Sequence, residues 1–230
     1  MDIIKQYRHE LKYEISYADY LQMKGRLEKI MTVDPHSRDD GKYLVKSIYF
    51  DNYSNKVLKE NIHGVEKREK FRIRFYNNDL SYITLEKKMK NGRLGLKYRT
   101  EITREELESL LRGDNSWMKE TSNSVAKELY AKMQYQGLRP TNLVSYTRES
   151  FVYRPGNVRI SFDSDIRTLM NPANSLKEES MEISATDTPQ DMILEVKYDA
   201  FLPDIIKDLI QLDSIRVQAF SKYTNSRRFG

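Results

Sequence analysis

Along several short stretches of this chain, cationic and apolar side chains alternate one for one. In KFRIRFY, Lys70, Arg72 and Arg74 alternate with Phe71, Ile73 and Phe75. A β-strand directs successive side chains to opposite faces, so the run predicts a strand with one cationic and one apolar face. RHELKYEI repeats the pattern, with Leu11, Tyr13 and Ile15 against Glu10, Lys12 and Glu14. ITLEKKMK, LGLKYRTEI, LVSYTRESF, NVRISFDSD and ILEVKY continue it, and LVKSIYFDN reads as a further strand.

Turn and cap residues punctuate these strands. Asn77-Asn78-Asp79, Asn91-Gly92 and Pro155-Gly156 predict three hairpin turns. Ser16, with Asp19 three residues later, caps a helix that carries Leu21, Leu27 and Ile30 on one side. SNKVLKENIHG is a short helix ended by Gly64, and Thr103 with Glu106 forms a capping box for REELESLLRG. SNSVAKELYAKMQYQG places Val125, Leu129, Tyr130 and Met133 on its apolar side, with Gly137 closing it. Pro203 opens an amphipathic helix through Ile206, Leu209 and Ile210, and VQAFSKYTNSRR is a final helical segment. The polar stretch NPANSLKEESMEISATDTPQ reads as a mobile insertion. About eight strands linked by hairpins or single helices predict an antiparallel α+β architecture. No repeat, linker or boundary divides the chain, so residues 1–230 are expected to form one domain.

If the apolar members of each strand pack against the helices, the opposite face collects one chemistry. It gathers Glu10, Lys12, Arg72, Arg74, Glu86, Lys88, Lys97, Arg99, Arg148, Arg159, Asp163, Glu195 and Lys197. On spacing alone, two arrangements fit: a solvated sheet face laced by weak cross-strand ion pairs, or the polar lumen of a closed barrel. In a lumen, two like charges about 4 Å apart repel by roughly 4 kcal/mol at an effective dielectric of about 20. Interior carboxylates and a bound polyanion would offset that, and phosphate is the expected anion. The sixteen tyrosines read as strand and core residues.

Composition narrows the chemistry. The 39 Lys plus Arg against 34 Asp plus Glu give a net charge of +5, which allows nucleic acid as a partner without requiring it. The absence of cysteine excludes disulfides, thiolate zinc sites and cysteine nucleophiles. No apolar run is long enough for a signal peptide or a membrane span, so a cytoplasmic protein is expected. No Walker loop and no kinase-type HRD or DFG set is present. Phosphoryl transfer on another scaffold would still need basic groups for positioning and carboxylates for a divalent metal. Glu195, Glu10 and Glu86 are the candidate holders.

In order, RHELKYEI, SIYFDN, FRIRFY, LEKKMKNGRLGLKYR, YTRESF, ILEVKY and FSKY resemble the VTC-type polyphosphate polymerase domain. That domain belongs to the triphosphate tunnel metalloenzymes, or CYTH-like superfamily, and the resemblance runs from about Tyr7 to Tyr223. It implies an eight-stranded antiparallel β-barrel, the triphosphate tunnel, flanked by helices. It also implies transfer of the terminal phosphate of ATP onto inorganic polyphosphate, with manganese or magnesium. Carried over by motif, Lys12, Arg72, Arg74, Lys88, Lys97, Arg148 and Lys222 are the expected catalytic cations. Ser221 and Lys222 of FSKY are the phosphate-contacting pair, and Glu195 is the metal ligand. Lys197, from the face assignment, joins the phosphate-binding set.

Triphosphatases and class IV adenylate cyclases of the superfamily begin with ExExK. Here Arg8 replaces the first glutamate of Arg8-His9-Glu10-Leu11-Lys12, which suits the VTC branch. The expected partners are ATP and polyphosphate, with no nucleic acid and with any membrane step left to a separate protein. A tripolyphosphatase or nucleoside triphosphatase of the same fold, and a non-catalytic polyanion-binding module, are the alternatives.

Overall fold

The computed structural model describes residues 8–92, 94–176, 181–186, 191–211 and 221–229. Its strands are β1 (His9–Ile15), β2 (Thr32–Val33), β3 (Lys42–Asp51), β4 (Lys67–Tyr76), β5 (Asp79–Asn91), β6 (Leu94–Ile102), β7 (Arg139–Tyr153), β8 (Val158–Leu169), β9 (Ile183–Ser184) and β10 (Met192–Tyr198). Its helices are α1 (Tyr17–Leu27), α2 (Lys56–Ile62), α3 (Arg104–Leu111), α4 (Trp117–Glu120), α5 (Ser124–Gln136), α6 (Asp204–Ile210) and α7 (Lys222–Phe229). Eight strands form one antiparallel path in the order β1-β10-β8-β7-β3-β4-β5-β6, with β2 on β7 and β9 on β8. The expected eight-stranded antiparallel architecture is therefore present. The sheet is not closed by hydrogen bonds between β1 and β6 among the described residues.

Local sequence accounts for most of these elements. Asn77 and Asn78 both take positive φ, at 52° and 59°, which makes the two-residue turn that joins β4 to β5. Ser16 with Asp19 and Thr103 with Glu106 both form reciprocal capping boxes. Asn123 accepts from the amides of Val125 and Ala126, and Gly137 ends α5 in the left-handed region at φ 67°.

Two outer cores brace the sheet. One packs α3, α4 and α5 against the apolar face that includes Phe71, Ile73, Phe75, Ile83 and Leu85. The other packs α1 and α6 against Ile15, Phe151, Ile160, Phe162, Leu194 and Val196. A third cluster lies on the opposite side of the strands. Val45, Tyr49, Val144, Tyr146 and Ile193 there meet Val57 of α2 and Tyr223 of α7.

Several expectations need correction. Leu21 is exposed; the buried side of α1 is Tyr20, Met23 and Leu27, spaced i, i+3 and i+7, and Leu21 lies one step round the helix from it. The segment 171–190 is more ordered in part than a mobile insertion: Pro172–Asn174 forms a short 3₁₀ turn and β9 pairs with β8. Residues 177–180 and 187–190 of it lie outside the described residues, as do 217–220 of the last helical segment. β7 begins at Arg139 rather than 143. Pro140 is tolerated in it because the register with β3 shifts between Tyr49 and Phe50.

The β7–β8 connection depends on a glycine. Gly156 has φ +71°, and a Cβ there would lie 2.8 Å from the carbonyl oxygen of Phe201 and 3.2 Å from Cδ of Pro203. Its own carbonyl accepts from the Asp199 amide at 3.1 Å, so the backbones are held close. Gly156→Ala is expected to destabilise the protein by about 2 kcal/mol or more, from left-handed strain plus the clash. Thermal unfolding checks this: Tm should fall by several degrees, and an unchanged Tm would contradict the close approach.

Candidate functional site: a cationic inner wall

Register places the expected site residues on one face of the curled sheet. On β3 and β4, Tyr49 lies opposite Arg72 and Ser47 opposite Arg74. On β5, Glu86 faces Arg72 and Lys88 faces Lys70, and Lys97 of β6 faces Lys88. On the other side of the path, Arg148 faces Asp163, and Lys12 faces Glu195. The wall is concave: Arg74 of β4 reaches Tyr146 of β7 across β3, and Arg148 of β7 reaches Glu195 of β10 across β8, while Lys88 of β5 lies within the electrostatic influence of Glu10, Lys197 and Glu195. The strands therefore curl round a shared interior, and the lumen arrangement rather than the solvated face describes these residues.

Two clusters of charge line that interior. In the first, Arg148 grips Asp163 bidentately, Nε to Oδ1 at 2.6 Å and Nη2 to Oδ2 at 2.8 Å, and also reaches Glu195 at 3.1 Å. Lys222 of α7 pairs with the same Asp163. Glu195 also meets Lys197 at 2.7 Å and Lys12 at 3.5 Å, and Lys12 lies 3.2 Å from Glu10. In the second cluster, Arg72 binds Glu86 through Nε at 2.7 Å and Nη2 at 2.6 Å, and Lys97 pairs with Glu86 as well. Among the described residues no carboxylate contacts Arg74; it donates to the hydroxyls of Ser47 and Tyr146, each at 3.0 Å.

Cations exceed carboxylates on this wall. Among the described residues, Lys12, Lys70, Arg72, Arg74, Lys88, Lys97, Arg148, Lys197 and Lys222 meet there and outnumber the carboxylates Glu10, Glu14, Glu86, Asp163 and Glu195. Three lysines, Lys70, Lys88 and Lys97, stand abreast on neighbouring strands, an arrangement that like charges resist.

Titration follows from that crowding. Burial lowers the Lys70 ammonium to about 8, and Lys12 and Arg72 lower it further against the pull of Tyr49. Lys97 also falls to about 8, from burial and from Arg72, although Glu86 opposes this. Arg72, followed by burial, holds Lys88 well below the usual lysine range. Burial would raise the Tyr49 phenol, but Arg72, Lys70 and Arg74 outweigh it and bring it down to about 8. Burial would also raise Glu195, yet Lys197, Lys12 and Arg148 hold it well below the carboxylate range. Glu86 is held low in the same way, with Arg72 the strongest opponent of its burial.

The structure thus brings together Lys12, Arg72, Arg74, Lys88, Lys97, Arg148, Lys197, Glu195 and Lys222. Ser221 is half-buried beside Lys222, and its hydroxyl accepts from the Thr224 amide at 3.4 Å in the first turn of α7. Two further candidates share this face by register, Arg99 opposite Glu86 and Arg159 opposite Lys197; Arg99 is exposed, and Arg159 is engaged by Asp34.

Sequence reasoning left out the tyrosines. Tyr146 receives a hydrogen bond from Arg74 and lies under Lys222 at 4.7 Å and Arg148 at 5.2 Å. Tyr49 meets Arg72 at 3.5 Å and Lys70 at 5.9 Å from its ring. The available signal was strand parity, since Tyr146 is two residues before Arg148 and shares its face.

Among the described residues, no group of three or more His, Asp or Glu side chains is arranged to hold a metal ion. Glu10 and Glu195 nevertheless lie within hydrogen-bonding reach of each other, as a pair of hard oxygen donors. Magnesium and manganese commonly take one or two carboxylates and complete their shells with water and substrate phosphate, so the pair fits such an ion.

The VTC domain family matches residues 7–229, and the chain belongs to that family. No curated protein matches the chain. Solved structures with some likeness include a proposed adenylate cyclase from Bacillus halodurans, at 13% identity and a TM-score of 0.49, covering 84% of this chain and 80% of that one. A conserved hypothetical protein from Pyrococcus furiosus has 14% identity and a TM-score of 0.43, over 88% and 85% of the two chains. A proposed adenylate cyclase from Vibrio parahaemolyticus has 11% identity and a TM-score of 0.43, over 88% and 82%. No helix among the described residues is long and apolar enough to cross a membrane.

The depressed lysines give the empty wall a characteristic pH dependence. In the unfolded chain these lysines hold their protons up to about 10.5, whereas in the fold Lys70 and Lys97 release them near 8. Above 8 the unfolded state binds more protons, so the contribution of these groups to stability rises with pH. Below 8 their mutual repulsion is present in full. The ligand-free protein is therefore expected to gain Tm between pH 8 and 9.5, and Lys88→Met to raise Tm at pH 7. Differential scanning fluorimetry checks both; a lower Tm for Lys88→Met would contradict the crowding.

Proposed function

We propose that the protein is a polyphosphate polymerase that moves the γ-phosphate of ATP onto the end of an inorganic polyphosphate chain. The observation that carries this reading is the cationic excess on one enclosed wall of a VTC-family domain. A linear phosphate polymer supplies the negative charge that such a wall lacks. Arginine forks match phosphate oxygens in two directions, and lysines act as mobile point charges.

On this reading Arg72, Arg74 and Arg148 orient the triphosphate. Lys12, Lys88, Lys97 and Lys197 neutralise the transferring group and the growing chain, and Ser221 and Lys222 contact phosphate from α7. A terminal oxygen of the chain bonds to the γ-phosphorus as the bond from that phosphorus to ADP breaks, and ADP leaves with the electron pair. Glu195, with Glu10, would hold a manganese or magnesium ion, which when bound neutralises phosphate charge. Arg8 stands where the hydrolases and cyclases of the superfamily carry a metal-holding glutamate, which speaks against hydrolysis; its guanidinium pairs instead with Asp199 at 2.9 Å. The protein would act in the cytoplasm, and passage of product across a membrane would fall to a separate partner.

Purified protein given ATP and manganese is expected to release ADP and to build acid-labile phosphate chains that form a ladder on a gel. Orthophosphate release without chains would point to a hydrolase, and tripolyphosphate binding with no ADP release to a binding module; either overturns the proposal. Arg74→Ala should lower kcat/KM by about 10²–10³-fold, the loss typical of one preorganised donor. Glu195→Gln should lose metal-dependent turnover while metal-free tripolyphosphate binding persists.

A further inference from the structure

Lys222 reaches the phosphate wall from a helix rather than from a strand, so something must hold that helix in place. Among the described side chains of α7, Tyr223 is the one that joins an apolar cluster; it is fully buried and lies 5.1 Å from the ring of Tyr49. The remaining contacts are polar. Asn142 donates to Ser226 at 2.7 Å, Ser226 to the Tyr223 carbonyl at 2.8 Å, and Arg227 to Asn55 at 2.8 Å.

The Tyr223 hydroxyl itself donates to Oδ2 of Asp51 at 2.6 Å, across 172 positions of sequence. Asp51 is itself fully buried and immobilised. Its Oδ1 accepts from the amides of Asn52 at 2.8 Å and Val57 at 2.9 Å, and its Oδ2 accepts from Leu58 at 3.0 Å. Burial and the carboxylate both push the Tyr223 phenol above its ordinary value, so the hydroxyl keeps its proton and donates. One residue away, Lys222 pairs with Asp163, which holds Arg148, which in turn touches Glu195. A continuous set of contacts thus runs from the end of β3 to the centre of the phosphate wall.

We infer that the Tyr223–Asp51 hydrogen bond is a latch that sets Lys222 in the phosphate site, making Tyr223 and Asp51 positioning residues for phosphate binding. The inference rests on the anion-binding reading of the wall given above. Neither residue need touch phosphate: both are sealed from solvent, and both act through the placement of α7. Losing the hydroxyl should leave the ring packed on Tyr49, so the fold survives while Lys222 loses its fixed position.

The test is a double-variant cycle in the full chain, read by calorimetric titration with inorganic tripolyphosphate at pH 7 without metal. Lys222→Ala should weaken binding about tenfold and Tyr223→Phe about three- to tenfold, as for loss of a charge-assisted bond. The double variant should be no more than about twofold weaker than Lys222→Ala, because most of the latch's effect passes through that lysine and only the neutral Ser221 hydroxyl carries the remainder. Hydrogen exchange at the amides of residues 223–227 should quicken in Tyr223→Phe. Wild-type affinity in Tyr223→Phe, or losses that multiply in the double variant, would overturn the latch while leaving the anion site standing. Absence of tripolyphosphate binding in the wild type, or no loss in Lys222→Ala, would overturn the anion site and the latch together.

Discussion

The fold is organised around an unbalanced charge held in an enclosed space. Seven strand-to-strand ladders and two flanking cores force cations from β1, β4, β5, β6, β7 and β10 to share one interior. Buried ion pairs such as Arg148 with Asp163 and Arg72 with Glu86 are weak evidence for stability, because desolvation cancels much of their attraction. Their value here is geometric. Each carboxylate fixes one side of a guanidinium, and the tyrosines at positions 49 and 146 direct the others.

That arrangement separates residues that hold from residues that are held in reserve. Asp163 and Glu86 are nearly free of solvent and each serves two cations. Among the described residues Arg74 is supported by the neutral hydroxyls of Ser47 and Tyr146, with no contacting acid. Lys12 and Lys197 keep about a quarter of their side-chain surface open, at 25% and 24%, which leaves them reachable by an incoming anion. The packing of α1 and α6 on one flank and α3, α4 and α5 on the other makes this tolerable, since the apolar faces supply the burial that the wall does not.

Much of this was legible in the sequence because strand periodicity is local. The alternation in KFRIRFY alone sorted Phe71, Ile73 and Phe75 into a helix-backed core and Arg72 and Arg74 onto the wall. Asn77-Asn78, Ser16 with Asp19, and Thr103 with Glu106 were equally readable, since each contains its own chemistry within four residues. What escaped depended on partners far along the chain. The two-residue strands β2 and β9 exist only through pairing with β7 and β8. Tyr49, Tyr146 and Tyr223 read as ordinary core residues, and they are buried, but their hydroxyls serve Arg72, Arg74 and Asp51. Leu21 was misplaced because helical spacing fixes a set of faces, and only the partner surface decides which of them turns inward.

The unjoined edges of β1 and β6 set the mechanical character of the cylinder. A ring with a complete set of ladders has its girth fixed by strand number and stagger. Here, among the described residues, the backbone constrains seven junctions and no ladder forms the eighth. The separation of those two edges can change without breaking a single ladder hydrogen bond, so the bore answers to the charge it contains.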